Sequence, residues 1–213
     1  MLEVFSMGER IAVITDIHGH LPGLEAVWSD IAGCGCDRVV CLGDLVDGGE
    51  QDNEVARFLR DEGVPCMRGN HDEDGAVHVE ADVRAFLAGL PEWIVEGDRY
   101  YTHISPRDSQ RKILDPYEAW NVFDEHSARL TFVGHAHIPL IFGERAAHSA
   151  TSTEYSFRYN EPFALDGTDR YIVVVGAVGY PRDGIRYPRY AIYDAVADTV
   201  EMRIVDGPVL PFG

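Results

Sequence analysis

The sequence predicts an α/β fold in which two packed, mixed β-sheets are flanked by helices, giving a four-layer α/β/β/α sandwich. Two observations lead to this prediction. In the first half of the 213-residue chain, short apolar runs alternate with segments that repeat apolar residues at helical spacing, a pattern typical of βαβ units with parallel strands. In the second half, apolar runs follow one another across short turns, which is typical of antiparallel strands.

The first half contains three predicted strand–helix units. In the first helix, Leu24, Val27 and Ile31 recur at the spacing that places them on one face. The second predicted helix ends at Gly63 and the third at Gly89, because glycine commonly follows the last helical turn. The predicted elements are, in order, a strand near 10–15, a helix near 21–33, a strand at 38–42, a helix near 50–62, a strand at 64–68 and a helix near 76–89.

The second half is predicted to be rich in strands. A hairpin turns at Gly97-Asp98, and the last two strands are joined by a turn near Asp198. The predicted elements are strands at 92–96 and 99–104, a short helix near 116–126, a strand at 130–134, and β-rich runs at 138–142, roughly 155–165, 171–175, 189–194 and 199–206. A parallel half is thus expected to precede a largely antiparallel half.

The chain is expected to form one domain over residues 1–213, with residues 1–9 as a loose N-terminal extension. Its length suits one α/β core, and no linker-like segment, internal repeat or long charge block divides it. The candidate site residues extend from Asp16 to His137, so a division into two domains would separate them. Translation from Met1 and translation from Met7 are both compatible with the sequence.

The composition is strongly acidic, with a formal net charge of −18 and a sequence pI of about 4.7. Such a chain repels nucleic-acid backbones and anionic membrane surfaces, so neither is an expected partner, whereas a small phosphate compound is not excluded. The four cysteines form no zinc-binding pattern, and we expect neither a signal peptide nor a membrane-spanning stretch. We therefore expect a reduced, cytoplasmic protein.

Five apolar runs each end in residues that can bind a metal ion. The residues concerned are Asp16, His18, Asp44, Asn70, His71, His103, His135 and His137. Ligands gather outside the carboxyl ends of strands in α/β sheets, and a mixture of carboxylate, amide and imidazole groups suits divalent transition metals. An extended backbone would place the side chains of Asp16 and His18 on one side, and the two oxygens of Asp44 could bridge two cations.

The order of these motifs resembles the calcineurin-like metallophosphoesterases. That family's pattern is D-x-H, G-D-x-x-D, G-N-H-[DE], a lone His and G-H-x-H, and all five blocks occur here in the same order. The resemblance covers roughly residues 10–195. It is strongest to the small bacterial and archaeal phosphodiesterase branch, as segments such as DIHGHLPGLEAV, RGNHD and GHAHIP indicate.

The resemblance implies a centre with two divalent transition-metal ions, most readily Mn in vitro, with Fe, Zn and Ni also possible. By this resemblance the first ion is held by Asp16, His18 and His137, the second by Asn70, His103 and His135, and Asp44 bridges them. A metal-bridging hydroxide would attack the phosphorus in line. His71, with Asp47 as its partner, would stabilise the transition state or protonate the leaving oxygen.

Several residues near the expected mouth of the site are candidates for substrate binding. They are His20, Arg68, Arg107 and Arg182. For His20, a position at the start of a helix is an equally good interpretation, and the arginines could equally form ion pairs with nearby carboxylates. The segments Ile104-Ser105-Pro106 and 174–179 depart from the family pattern near the site mouth, so these departures concern the choice of substrate.

The predicted function is hydrolysis of phosphodiesters or of small nucleotide and phosphomonoester substrates. The alternative is a non-catalytic scaffold of the same fold that binds a partner protein and whose metals are structural. Metal-dependent turnover of a phosphoester would distinguish the two. The sequence leaves the oligomeric state open.

Overall fold

The computed structural model describes residues 9–107, 111–145 and 151–210, and these ranges contain eleven strands and five α-helices. The strands are β1 (Arg10–Ile14), β2 (Arg38–Cys41), β3 (Trp93–Glu96), β4 (Arg99–Thr102), β5 (Leu130–Val133), β6 (Leu140–Gly143), β7 (Thr153–Tyr155), β8 (Pro162–Ala164), β9 (Tyr171–Val174), β10 (Arg189–Asp194) and β11 (Thr199–Ile204). The helices are α1 (Leu21–Gly33), α2 (Asp52–Asp61), α3 (Asn70–Asp74), α4 (Ala81–Ala88) and α5 (Pro116–Phe123), and a 3-10 turn at Gly75–Val77 follows α3.

The strands form two mixed sheets. The first has the order β2-β1-β10-β11-β8, in which β1 and β2 are parallel and the C-terminal strands are antiparallel to their neighbours. The second has the order β3-β4-β5-β9-β6-β7, in which β4, β5 and β9 run parallel to one another. Most of the predicted site residues follow the carboxyl ends of four strands, β1, β2, β4 and β5, whereas Asn70 and His71 follow the segment 64–68 and open α3.

The two sheets pack face to face through a shared apolar core. Ile11 and Val13 of the first sheet belong to the same buried cluster as Phe132 and Val173 of the second. A second cluster joins the other face of the first sheet to α1, α2 and α4, and a third joins α5 to the outer face of the second sheet. The predicted four-layer α/β/β/α architecture is therefore confirmed.

The strand predicted at 64–68 is wrong. The segment forms one isolated parallel bridge between Cys41 and Cys66, with hydrogen bonds of 2.9 Å from Cys41 N to Pro65 O and from Met67 N to Cys41 O. Pro65 has no N–H group to donate, so a longer ladder cannot form at this position. The helix predicted near 76–89 is shorter than expected, because the 3-10 turn precedes it and α4 begins at Ala81.

The β-rich run predicted at 155–165 is two strands that belong to different sheets. β7 pairs with β6 in the second sheet, whereas β8 pairs with β11 in the first. Asn160, at φ 61°, has a left-handed backbone conformation between them. The expected parallel first half is seen in β1 and β2, and five of the seven strand pairs formed within the second half are antiparallel. The other two pairs, β4 with β5 and β5 with β9, are parallel, and β8, β10 and β11 of the second half complete the first sheet.

The predicted N-terminal extension lies mostly outside the described residues, as do Met1 and Met7. Glu9, its last residue, is fixed to the first sheet. Its carbonyl oxygen accepts a 3.0 Å hydrogen bond from Ala195 N, and its carboxylate lies 2.7 Å from the Arg38 guanidinium. Among the described helices, none has the length and apolar character needed to cross a bilayer.

Candidate metal centre

The predicted ligands come together where strands of both sheets end. Asp16 and Asp44 follow β1 and β2 of the first sheet, whereas His103 and His135 follow β4 and β5 of the second. Backbone hydrogen bonds join neighbouring loops, from Asp16 N to Gly43 O at 3.0 Å and from Gly134 N to His103 O at 3.1 Å. The strand ends at which the sequence predicts an ion site thus come from both sheets.

Six residues of these loops have a left-handed backbone, which is uncommon for residues other than glycine. They are Asp16 (φ 53°), His18 (φ 50°), Asp44 (φ 53°), Asp47 (φ 69°), His135 (φ 65°) and His137 (φ 62°). The extended conformation predicted for Asp16 to His18 is therefore wrong, although the two side chains do converge. Such strain persists only where the surrounding structure enforces it, and it concentrates at functional sites.

Two glycines allow the loops to approach this closely. A Cβ atom on Gly134 would lie 2.2 Å from Thr15 Oγ1 and 3.1 Å from His103 Nδ1. A Cβ atom on Gly179 would lie 1.9 Å from the carbonyl oxygen of Ile17. The segment that ends at Gly179 is thus packed directly against the loop that carries Asp16 and His18, and Gly179 N donates a 3.0 Å hydrogen bond to Asp16 O.

The side chains form two clusters that share one carboxylate. In each cluster the potential ligand atoms lie within 4.8 Å of one another. The clusters are Asp16, His18, Asp44 and His137 in the first and Asp44, His103 and His135 in the second. Asn70 lies beside the second cluster, with its Oδ1 atom 3.2 Å from His103 Nε2.

The donor atoms fit divalent metal ions. His103 Nε2 lies 3.1 Å from Asp44 Oδ2, and His137 Nε2 lies 3.1 Å from Asp16 Oδ1. Two ligands at right angles, each about 2.1 Å from a shared ion, are about 3.0 Å apart. Within the described part of the chain, Asp16 Oδ1, His18 Nε2 and Asp44 Oδ2 are buried and have no hydrogen-bond partner. A cation between them would satisfy all three atoms.

Two of the imidazoles are oriented by backbone carbonyls. His18 Nδ1 lies 2.9 Å from the carbonyl oxygen of Asp47, and His137 Nδ1 contacts the carbonyl oxygen of Tyr180. A proton on Nδ1 would be donated to these oxygens, which leaves Nε2 as the unprotonated atom of each ring. This is the usual arrangement of a histidine that ligates a metal through Nε2.

The charges of the cluster are strongly coupled. Burial opposes ionisation of Asp16, but the neighbouring imidazoles of His137, His103 and His18 outweigh it and hold the pKa of Asp16 well below its usual range. Burial would lower the pKa of His103, but the Asp44 carboxylate raises it to about 9. Metal ions would replace such protons, so metal binding should release protons from this centre.

Asp72 organises the loop beneath the clusters, and the sequence analysis did not single it out. Its carboxylate accepts hydrogen bonds from the backbone N–H groups of Asp44 (2.9 Å), Leu45 (2.7 Å) and Gly69 (2.8 Å). Burial, followed by repulsion from Asp44, raises the pKa of Asp72 to about 7, and the N–H groups act in the opposite direction. Its position directly after Asn70-His71 was the available signal.

His71 and Asp47 form a pair at the edge of the clusters. His71 Nδ1 lies 2.7 Å from Asp47 Oδ2, and the two side chains are 34% and 42% exposed. The ring centres of His71 and His18 are 4.9 Å apart. In contrast to the buried ligands, this pair is within reach of a molecule that enters from solvent.

The chain matches the sequence profile of the calcineurin-like phosphoesterases over residues 9–176. It belongs to this family. An uncharacterized protein of Methanocaldococcus jannaschii is 32% identical in an alignment 210 positions long that covers 86% of this chain and 82% of that protein.

Solved structures agree with this assignment. A metallophosphoesterase from Sphaerobacter thermophilus has a TM-score of 0.82 at 30% identity and covers 94% of this chain and 89% of its own. A hypothetical protein from Pyrococcus horikoshii has a TM-score of 0.69 at 16% identity, over 93% of this chain and 88% of its own, and supports the fold alone. Family membership and the buried Asp/His clusters together support a phosphoesterase that uses divalent metal ions.

The four candidate substrate contacts of this calcineurin-like phosphoesterase have different surroundings. His20 caps α1, because its Nδ1 accepts a 2.9 Å hydrogen bond from Gly23 N, and it also lines a cleft with His18 and Tyr180. Arg182 lies over the ring of Tyr180, with 5.7 Å from its guanidinium carbon to the ring centre.

Arg68 and Arg107 line a separate cleft of about 520 Å³. Arg68 is 3.1 Å from the Glu92 carboxylate, and Arg107 is 3.7 Å from that of Glu125. The ion-pair interpretation of these two arginines therefore describes the structure, and their contact with substrate stays a prediction.

Proposed function

We propose that the protein is a dinuclear metal-dependent phosphoesterase that hydrolyses phosphodiesters or small nucleotide and phosphomonoester substrates. The observation that carries this proposal is the position of Asp44, whose carboxylate belongs to both ligand clusters. Two bound ions would clamp a phosphoryl group and supply a hydroxide for in-line attack near neutral pH. Mn²⁺ is the first candidate, and Fe, Zn and Ni also suit these nitrogen and oxygen ligands.

The residues of the site fall into two groups: those that would hold the ions and those that would transfer a proton. We assign Asp16, His18 and His137 to one ion, and Asn70, His103 and His135 to the other, with Asp44 between them. The hydrogen bonds of His18 and His137 to carbonyl oxygens support this assignment, because they leave Nε2 available to an ion.

We assign the proton transfer to His71. Its Nδ1 is already engaged by Asp47, so Nε2 is the atom that delivers a proton to the leaving oxygen. The carboxylate of Asp47 stabilises the protonated imidazole and fixes its orientation, as an acidic partner does in other general-acid histidines.

The same pair favours an enzyme over a non-catalytic scaffold. Neither His71 nor Asp47 belongs to the buried clusters, and a structural metal site has no need of a half-exposed His–Asp pair. A cleft of about 380 Å³ is lined by His18, whose ring centre is 4.9 Å from that of His71, and by Gly48, which follows Asp47 in the chain. Its size suits a small phosphoester.

The deciding experiment combines metal analysis with turnover. Metal content is measured on the purified chain, and hydrolysis of bis-p-nitrophenyl phosphate and p-nitrophenyl phosphate is followed before chelation, after chelation and after addition of Mn²⁺. About two ions per chain and activity that Mn²⁺ restores are expected for a two-metal site. Bound metal without turnover of either ester would favour the scaffold, and a chain that binds no metal would overturn the proposal.

A further inference from the structure

Helix α5 covers the outer face of the second sheet over part of its width. The buried cluster beneath this helix contains residues of β5, β6 and β9, among them Val133. Thr102 of β4 lies opposite Val133, and Trp93 of β3 lies opposite Thr102, so all three side chains are on this outer face. Tyr100, two residues before Thr102, points the same way. The face thus continues beyond α5 with aromatic side chains, of which Trp93 is 52% exposed.

A cleft of about 520 Å³ lies over these two strands. Its walls include Trp93, Tyr100 and His126, and the rings of Tyr100 and His126 are stacked with 4.3 Å between their centres and 13° between their planes. Aromatic side chains that are held in place give a planar ligand a surface on which to stack. The volume of the cleft is typical of sites for small molecules.

The charged side chains of the cleft balance one another. Arg68 lies 3.1 Å from the carboxylate of Glu92. Arg107 lies 3.7 Å from that of Glu125, and all four residues line the cleft. A phosphate would need an excess of positive charge, and an alkyl chain would leave four charged groups without water. A neutral planar ring whose edge has both hydrogen-bond donors and acceptors fits these walls, and a nucleobase is such a ring.

The cleft adjoins the second ligand cluster through two short backbone segments. Arg68 precedes the proposed ligand Asn70 by two residues, and Ile104, which also lines the cleft, directly follows His103. Neighbouring Cα atoms are about 3.8 Å apart, so the Cα atoms of these two lining residues lie within about 8 Å of those of the ligands. This spacing suits a nucleotide, with its phosphate at the metal centre and its base in the cleft.

We propose that this cleft is a nucleobase-binding site and that the substrates of the protein are nucleotides or nucleotide esters. The inference rests on the proposed phosphoesterase function and deepens it. The base stacks on Trp93, and its edge exchanges hydrogen bonds with the Arg68–Glu92 and Arg107–Glu125 pairs.

Adenosine tests the cleft without turnover, because it has a base but no phosphoester. Adenosine and D-ribose are each added to the full chain as purified, and binding is followed by saturation-transfer NMR. The adenine protons should receive saturation from the protein, and a titration gives Kd, whereas D-ribose should show no binding. Adenine protons that receive no saturation would overturn the proposal, whether or not the protein hydrolyses any ester.

Two exposed positions on β3 locate the bound base. Trp93→Ala should raise Kd for adenosine about 10-fold, as expected when one aromatic stacking surface is lost. Val95→Ala is the matched control, because Val95 is 57% exposed on the same face of the strand but outside the lining of the cleft, and it should leave Kd unchanged. Both side chains are exposed, so both variants should fold. An unchanged Kd in Trp93→Ala would overturn the proposal.

Kinetics distinguish a nucleobase from the aromatic leaving group of a test ester. The p-nitrophenyl esters of adenosine 5′-monophosphate and of methyl phosphate share one leaving group, but only the first has a base. The ratio of their kcat/KM values should fall about 10-fold in Trp93→Ala and stay constant in Val95→Ala. Equal losses for both esters would place the p-nitrophenyl group in the cleft and refute the nucleobase. If neither ester is hydrolysed, the proposed function fails, and the adenosine titration decides the cleft by itself.

Discussion

The position of His71 depends on two contacts with different parts of the site. Its backbone N–H donates to Asp44 Oδ1 at 2.9 Å, and its ring contacts Asp47 at 2.7 Å. The residue is therefore tied to the shared carboxylate through its backbone while its side chain stays outside the ligand clusters. Removal of the ring should separate proton transfer from metal binding.

We expect His71→Ala to retain the metal content of the unmodified protein and to lower kcat by about 10²- to 10⁴-fold, the usual contribution of a general acid. Metal analysis and steady-state kinetics measure the two effects. His78→Ala, which truncates an exposed histidine in the next turn, is the matched control and should retain full activity. Loss of metal from His71→Ala would contradict the role assigned to the ring.

Asp72 has a structural role that can be measured apart from activity. Asp72→Ala leaves the buried N–H groups of Asp44, Leu45 and Gly69 without an acceptor, so we expect the free energy of unfolding to fall by about 3 kcal/mol or more. Urea unfolding with chelator present measures this loss. Asp74→Ala, at an exposed position two residues away, should change stability by less than about 0.5 kcal/mol.

At the residue scale, the sequence predicted which side chains come together but not the backbone conformation that brings them together. The ligand types follow from strand ends and motif order, which are local properties. The left-handed backbone at Asp16 and His18 could not be predicted, because it is imposed by contacts with distant segments such as Gly43 and Gly179. Asp72 was missed because its partners are backbone N–H groups, so its position directly after Asn70-His71 was the signal that the sequence offered.

Among the elements, the end of α5 is attached to the second sheet through His126. Its ring stacks on Tyr100 with 4.3 Å between centres, and its Nε2 lies 3.3 Å from Thr131 Oγ1. Its carbonyl oxygen also accepts a hydrogen bond from Arg170. Burial, followed by repulsion from Arg170, lowers the pKa of His126 below 6.5.

This lowered pKa predicts a pH dependence of stability. The folded protein binds the His126 proton less tightly than the unfolded chain does, so the stability contribution is complete above about pH 6.5 and is lost as the pH falls. We expect the free energy of unfolding to decrease from about pH 7.5 to 5.5, and to decrease less in His126→Gln. Urea unfolding of both chains, with chelator present to exclude metal release, measures the difference; identical slopes would contradict the prediction.

The bounds of helices and strands were predictable where they depend on the local sequence pattern. The helix predicted near 21–33 matches α1, because the spacing of its apolar residues is helical throughout. The prediction of one β-rich run at 155–165 was wrong, because β propensity cannot show that the strands on either side of the turn at Asn160 pair in different sheets. The strand with which each segment pairs is decided by the assembled fold.

At the scale of the whole molecule, the proposed ions would connect the two sheets. Asp16 and Asp44 belong to the first sheet, and His103, His135 and His137 belong to loops of the second. An ion that binds the folded chain stabilises it by about 2.7 kcal/mol at one hundred times its dissociation constant. For a chain of this size, that corresponds to a rise in Tm of about 5–10 °C for each ion.

Chelation removes both ions and should therefore lower Tm by about 10–20 °C, and Mn²⁺ should restore it. Differential scanning calorimetry measures the shift. Asp44→Asn, which weakens both clusters together, should show a much smaller response to the chelator. An unmodified protein whose Tm does not depend on metal would contradict the proposed connection between the sheets.

The general architecture was predictable at this scale, but the sheet order was not. Alternating helices and strands indicated layered sheets. No feature of β10 shows that it pairs with β1, where Ala12 lies opposite Ile192, 180 residues later in the chain. Long-range pairing of this kind depends on the packing of both sheets and leaves no local pattern.

The left-handed residues of the centre also bear on protein engineering. Each such conformation costs roughly 1–2 kcal/mol for a residue with a Cβ atom, and glycine relieves that cost. Random mutagenesis screened for heat resistance alone would accordingly favour glycine at Asp47, which belongs to neither ligand cluster and where glycine removes the partner of His71. Screens for robust variants of this protein should therefore retain a hydrolysis readout at every round, because thermostability and function compete at this backbone position.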